Sequence, residues 1–402
     1  MINSKIHLPP GTQDFLPQEC AHKREIEAAA RQCFLSWGYD EVETPCMEYF
    51  DVFQGPVGGF EQESMFKFSD ASGRLLVLRP DLTTPLARVA ATRRAESILR
   101  MFYVGNAFQF SGSEAAAGAR EFTQTGVELM GQSGPLADAE AIALAITVLK
   151  AIGLRDFQID IGQVQFFKGL MEEAGLTPAQ AEEVRRHVED KNMLAIEMLM
   201  QSAGVSGSLR NRILELPALY GGPEVLDTAE GYTGNAMSRA ALRSMRETLD
   251  ALSRYGLDEY VSIDLGMVQG ITYYSSIIFR GISRFLGYPL LTGGRYDGLV
   301  GDFGRPLPAV GFAFAVKSVL IALERQGALP DAAAIGTVAL ITDDADGAAF
   351  RALDALRLAG RVEQFYGDEA GLAAYAQSRG AGKAVRWSDS GFVTVWERGE
   401  TL

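Results

Sequence analysis

No block of five to eight consecutive lysines and arginines occurs anywhere in the sequence, and 37 basic residues stand against 51 acidic ones for a formal charge of -14. A chain with that balance repels polyanions at long range, so no nucleic-acid partner is expected. A run of about eighteen apolar residues is also missing, and the opening stretch MINSKIHLPPGTQDFLP has no apolar core of a secretory signal. Neither membrane insertion nor export is therefore expected, and the expected home is the cytoplasm. Cysteine is scarce: Cys20, Cys33 and Cys46 are an odd number at distant positions. They suggest neither a disulfide framework nor a zinc site. The three histidines, His7, His22 and His187, are scattered and lack companion ligands. No metal, no cofactor and no catalytic histidine is expected from them.

What is present is the composition of a folded protein, with 47% hydrophobic and 22% charged residues. Residues 18–37 place apolar side chains at helical spacing and stop at Gly38, which suits a left-handed C-terminal cap. SMFKFSDASGRLLVLRPDLTTPLARVAA reads as strand, tight turn at DASGR, strand, and a helix opening near Asp81. RMFYVGNAFQF (100–110) and REFTQTGVELMG (120–131), joined by SGSEAAAGA, form a long antiparallel hairpin. A helix over 138–154 and a strand at DFQIDIGQ follow. From about 166 to 256 the period changes to 3.6 residues, a helical insertion between two portions of one sheet. Strands resume at YVSIDLGMV, YYSSIIFRGI and YPLLTGG. The expected division is a core over 1–328 and a small α/β domain over 329–402.

Six fragments, taken in order, resemble the catalytic core of histidyl-tRNA synthetases: PPGTQDFLP, EVETPCMEYFDVF, GRLLVLRPDLTTPLARVAA, YVGNAFQF with REFTQTGVELMG, GMVQGITYYSSIIF, and GGRYDGLV with PAVGFAFAVKSVL. The likeness covers roughly residues 7–325. Taken alone, GGRYDG reads equally well as a tight turn whose glycines supply positive φ. The resemblance implies an α+β fold of the class II aminoacyl-tRNA synthetase type, a six- or seven-stranded antiparallel sheet flanked by helices. It also implies a homodimer whose interface includes the segment around Pro45.

The resemblance fails where phosphate would be held. Amino-acid activation clamps a triphosphate, and arginine suits that task because its planar fork stays charged and bonds oxyanions bidentately. The family's pattern places arginines at three positions that here read Gln109, Gln269 and Ser318. Each lost contact of this kind costs about 2–5 kcal/mol. At about 1.4 kcal/mol per tenfold, three losses slow activation by roughly four powers of ten even at the low end. Adenylation is not expected, and no catalytic residue is assigned.

The amino-acid side of the pocket is better kept. The resemblance assigns histidine recognition to Asp81, Thr83, Gln124, Glu128, Tyr273 and Tyr274. Carboxylates can receive an α-ammonium, and amide, hydroxyl and phenol groups can satisfy ring nitrogens. Gln124 and Glu128, four apart on a strand, share a face; that suits a pocket floor and equally a solvated sheet face. A synthetase-like body without phosphate arginines resembles the regulatory subunits of ATP phosphoribosyltransferase, which serve the first step of histidine biosynthesis. That resemblance implies assembly with a short-form catalytic subunit, four chains of each, and feedback inhibition by histidine at this pocket or at a subunit interface. Three other readings stand beside it: an active histidyl-tRNA synthetase, a histidine- or tRNA-sensing module, and the transferase itself. The last would use TDDADGAA with Asp343 and Asp344, a stretch that also reads as a solvated helix start.

Overall fold

The long hairpin is the spine of the architecture. In the computed structural model, which describes residues 6–55, 60–113, 116–268, 273–329, 335–342, 345–389 and 391–399, its strands Leu99–Ser113 and Ala119–Met130 pair antiparallel from Leu99↔Met130 to Phe108↔Glu121. Around them lies a nine-stranded sheet. Its order is Asp40–Glu41, Leu99–Ser113, Ala119–Met130, Ala309–Ala315, Leu291–Arg295, Ile277–Ile282, Gln158–Gln163, Val261–Asp264 and Tyr220–Gly221. The α+β sheet flanked by helices is as expected, with two differences. The sheet has nine strands because two-residue strands are added at its edges. Two pairings are parallel, Asp40–Glu41 on the hairpin and Gln158–Gln163 on Val261–Asp264. In the second, intervening helices form a long crossover, the connection that parallel neighbours require.

Register fixes which side chains share a face, because directly opposite residues project the same way. One row runs Phe102, Val127, Phe312, Gly293, Phe279, Ile161, Ile263. This face packs on the helices. Pro17–Ser36 contributes Ala30 and Phe34, and Pro135–Ile152 is buried along most of its length. The latter is apolar nearly all round, as a helix enclosed by a core must be. Pro135 opens it and Gly153, at φ 102°, closes it.

Between Gln163 and Val261 lie the helices Val164–Glu173, Pro178–Glu189, Met193–Ser202, Gly207–Glu215, Val225–Glu230 and Ala236–Arg254. The last is started by Asn235, whose side chain accepts from the backbone N–H of Met237 and Ser238 at 2.8 and 3.2 Å. A satellite sheet of Met47–Tyr49, Leu75–Leu78 and Lys67–Ser69 holds the DASGR turn.

The chain separates into two compact units, Met1–Leu329 and Pro330–Leu402. In the second, strands Val362–Phe365, Thr337–Leu340 and Lys383–Ser388 are parallel neighbours, and Gly391–Glu397 adds an antiparallel edge. Helices Gly347–Ala359 and Glu369–Ser378 supply the connections. Asp343 and Asp344 lie outside the described residues, whereas Asp346 caps the first helix through Ala348 and Ala349. Among the described residues no helix is long and apolar enough to cross a membrane, and no group of three or more His, Cys, Asp or Glu is placed to hold a metal ion.

Candidate functional site

The other face of the sheet is hollow. Its central rows run Met101, Glu128, Gly311, Gly294, Ile278 and, one step along, Tyr103, Gly126, Ala313, Thr292, Arg280. Strand Ala309–Ala315 presents Gly311, Ala313 and Ala315 to this face, so little side chain fills the space above it. The result is a cavity of about 340 Å³ with Gln124 and Glu128 on its floor.

The structure brings Asp81, Thr83, Gln124, Glu128, Tyr273 and Tyr274 together around that cavity, and Gln109 with them. Glu128 is 1% exposed. The hydroxyl of Tyr296 donates to its carboxylate. A Cβ on Gly311 would collide with the same oxygen, so glycine there leaves the room in which the carboxyl lies. Burial pushes the Glu128 carboxyl up to about 8, with Asp81 adding repulsion and the hydrogen bonds from Tyr296 and Thr83 opposing. Asp81 is pushed up to about 7 by burial, against weak bonds from Thr84 Oγ1 and N at 3.3 and 3.4 Å. Gln124 Oε1 accepts the Leu82 N–H at 3.0 Å, which ties the pocket floor to the start of the helix Thr83–Arg93. Thr83 Oγ1 lies 3.4 Å from the Tyr103 hydroxyl.

Aromatic rings make one wall. Tyr273 stacks on Tyr296 with ring centres 5.3 Å apart and meets Tyr274 edge-on at 4.8 Å. Burial, and then the negative charge of Glu128, hold the hydroxyls of Tyr103, Tyr273 and Tyr296 well above their ordinary range, so they remain neutral donors. Tyr296 and Tyr103 escaped the reading of the sequence. The alternation Met101, Tyr103, Gly105 along the hairpin could have flagged Tyr103; Tyr296 is brought in by a long-range register that no local period reveals.

Only the end of GGRYDG, Asp297 and Gly298, is a turn. Gly293 and Gly294 lie in strand Leu291–Arg295 and neither has a positive φ. Close approach is the reason for glycine here: a Cβ on Gly294 would stand 2.7 Å from the Tyr274 ring, and one on Gly293 2.5 Å from Phe279. Arg295 turns away from the cavity. Its Nε donates to Asp138 at 2.8 Å and its Nη1 to Asp297 at 3.1 Å, and Asp297 in turn accepts from Ser275 Oγ at 3.1 Å. This buried knot anchors the chain on both sides of the tyrosine wall.

The three positions where arginine would hold phosphate fare differently. Gln109 lines the cavity and donates to the Pro80 carbonyl at 3.1 Å. Ser318 is fully buried in helix Val316–Gln326 and does not line the cavity, and Gln269 lies outside the described residues. Arg79, two residues before Asp81 in sequence, is engaged by backbone carbonyls of Asn106 at 2.7 Å, Pro45 at 3.3 Å and Thr44. Among the described residues the lining thus contains two carboxyls, amides, hydroxyls and aromatic rings, and no lysine or arginine. Such a cavity can receive an ammonium group and a hydrogen-bonding ring; it offers a triphosphate no counter-charge.

Comparison with known proteins gives matches of three kinds: a family model, curated relatives and solved structures. The family model described as histidyl-tRNA synthetase matches residues 11–319. An ATP phosphoribosyltransferase regulatory subunit of Acetivibrio thermocellus is 44% identical, over 100% of this chain and 97% of that protein. Another from Ruminiclostridium cellulolyticum is 43% identical over 81% and 78% respectively. Among solved structures, a protein of Bacillus halodurans described as an ATP phosphoribosyltransferase regulatory subunit/histidyl-tRNA synthetase superposes with a TM-score of 0.84 at 31% identity, covering 95% of this chain and 98% of that one. A histidyl-tRNA synthetase of Nostoc sp. shares the fold, with a TM-score of 0.82 at 19% identity over 96% and 92% of the two chains.

Proposed function

The chain belongs to the histidyl-tRNA synthetase family and groups there with the ATP phosphoribosyltransferase regulatory subunits, and from that premise we propose that it regulates such a transferase without catalysing a reaction itself. One observation supports this reading: on a synthetase-like fold lies a cavity with two carboxyls and a tyrosine wall, and no cation lines it among the described residues. The partner is a short-form catalytic subunit of ATP phosphoribosyltransferase, four chains of each in the assembly, with homodimers of this chain within it. Histidine is the effector. Its α-ammonium is received by Asp81 and Glu128, its ring by the hydroxyls and Gln124, whose Nε2 has no protein partner among the described residues.

Inhibition then follows from linkage. A ligand shifts the complex toward the inhibited arrangement only by the difference between its affinities for the two arrangements. The test is reconstitution: mix the chain with a short-form catalytic subunit and measure phosphoribosyl-ATP formation with and without histidine. Stimulation by the chain, and inhibition by histidine that is lost in Glu128→Gln while assembly persists, are expected. No stimulation would leave only the fold standing. Inhibition unchanged in Glu128→Gln would move the effector site elsewhere.

A further inference from the structure

Beyond the first cavity the same sheet face continues into a second, of about 660 Å³, whose lining includes Arg155, Gln158, Arg280, Ser283, Arg284 and Tyr288. The two are adjacent across one strand, since Thr292 of the first cavity is the register partner of Arg280. In a chain with a charge of -14, three guanidiniums in one concavity are unusual. The only carboxylate among its lining residues is that of Asp156, 2.9 Å from Arg284 Nη2.

Arg280 is held rigidly. Asp160 Oδ2 accepts from its Nε and Nη2 at 3.3 and 3.2 Å, and Asp264 Oδ2 accepts from Nη2 at 2.9 Å. Asp160 is itself fixed by Ser262 Oγ at 2.6 Å and is 1% exposed. These two acids do not line the second cavity; they lie toward the helical insertion and balance the charge of Arg280, which offers the cavity N–H donors while Arg155 supplies the positive charge unpaired among the described residues. The Nη1 of Arg280 keeps no protein hydrogen bond among the described residues, and the Arg155 guanidinium has neither ion pair nor hydrogen bond there. A fixed guanidinium with spare donors, joined by two more from a neighbouring strand start and a following loop, offers N–H groups from several directions. A planar carboxylate uses one fork, whereas a tetrahedral oxyanion uses donors spread around it.

We infer that this second cavity binds a phosphate-bearing anion, with Arg280 as the preorganised centre and Arg155 and Arg284 closing on it. Nothing in the regulatory reading requires the site, so the two stand or fall separately.

The test is calorimetric titration of the full chain at fixed ionic strength with two probes, inorganic pyrophosphate and AMP. Arg155→Ala/Arg284→Ala alters exposed side chains and keeps the fold, which circular dichroism checks. Binding of either probe that weakens at least about tenfold in this double variant, persists in Glu128→Gln and is not displaced by histidine supports the site. Tighter binding of pyrophosphate identifies a free polyphosphate, and tighter binding of AMP a nucleotide. Absence of binding by both probes, equal binding by the double variant, or loss in Glu128→Gln would overturn it.

Discussion

Glu128 is the residue on which the chemistry of the cavity turns. Its carboxyl, raised to about 8, and that of Asp81, raised to about 7, hold protons near neutrality. An ammonium ligand favours the ionised forms, so histidine binding should release protons and tighten as pH climbs from about 6 toward 8. Calorimetry in two buffers of different ionisation enthalpy reads this directly; affinity that falls over that range would contradict it. The same shift has a stability consequence of opposite sense. A carboxyl whose folded pKa lies above its unfolded value contributes fully below the unfolded value, near 4.5, and its contribution is lost as pH rises toward 8. Glu128→Gln should therefore raise stability at pH 8, by something on the order of 4 kcal/mol, and have little effect at pH 4, as denaturant melts at the two pH values would show. Sequence reading took Glu128 and Gln124 from the family resemblance, and a two-residue period puts them on one face. It could not separate a pocket floor from a wet surface, since that depends on the small residues of a strand about 180 positions away.

At the scale of the element, strand Ala309–Ala315 makes the hollow and strand Leu291–Arg295 holds the wall. Gly311→Ala sets a methyl group against the Glu128 carboxylate. Overpacking of this kind costs about 1–3 kcal/mol, and the variant should fold yet lose histidine binding more than Ala313→Ser does. Asp138→Asn strips the charge opposite Arg295 in the buried knot. Breaking such a pair costs about 3–5 kcal/mol, and thermal unfolding should show it together with weaker histidine binding, because Ser275 and Asp297 carry the tyrosine wall. The hairpin, the first helix and the helical run were legible because each repeats its own period over many residues. The parallel pairings and the two-residue edge strands were not, because partners far away in sequence decide them. Gly293 and Gly294 of GGRYDG mislead for the same reason: they answer to side chains packed from elsewhere in the chain.

At the scale of the whole molecule, every described residue of the cavity lies within the unit Met1–Leu329. Deleting 330–402 should leave histidine affinity within about threefold of the full chain; a larger loss would give the C-terminal unit a part in the site. The family was legible from six short fragments in order, and the departure from it from three missing arginines. Of those three positions the structure brings Gln109 to the cavity and sets Ser318 apart from it, so what a triphosphate would lack is set by the lining as a whole. The most direct measurement is histidine-dependent exchange of pyrophosphate into ATP by the purified chain. On the proposed reading the cavity takes histidine but offers a triphosphate no cation, and it should give no exchange above background; exchange at an ordinary enzymatic rate would contradict the account.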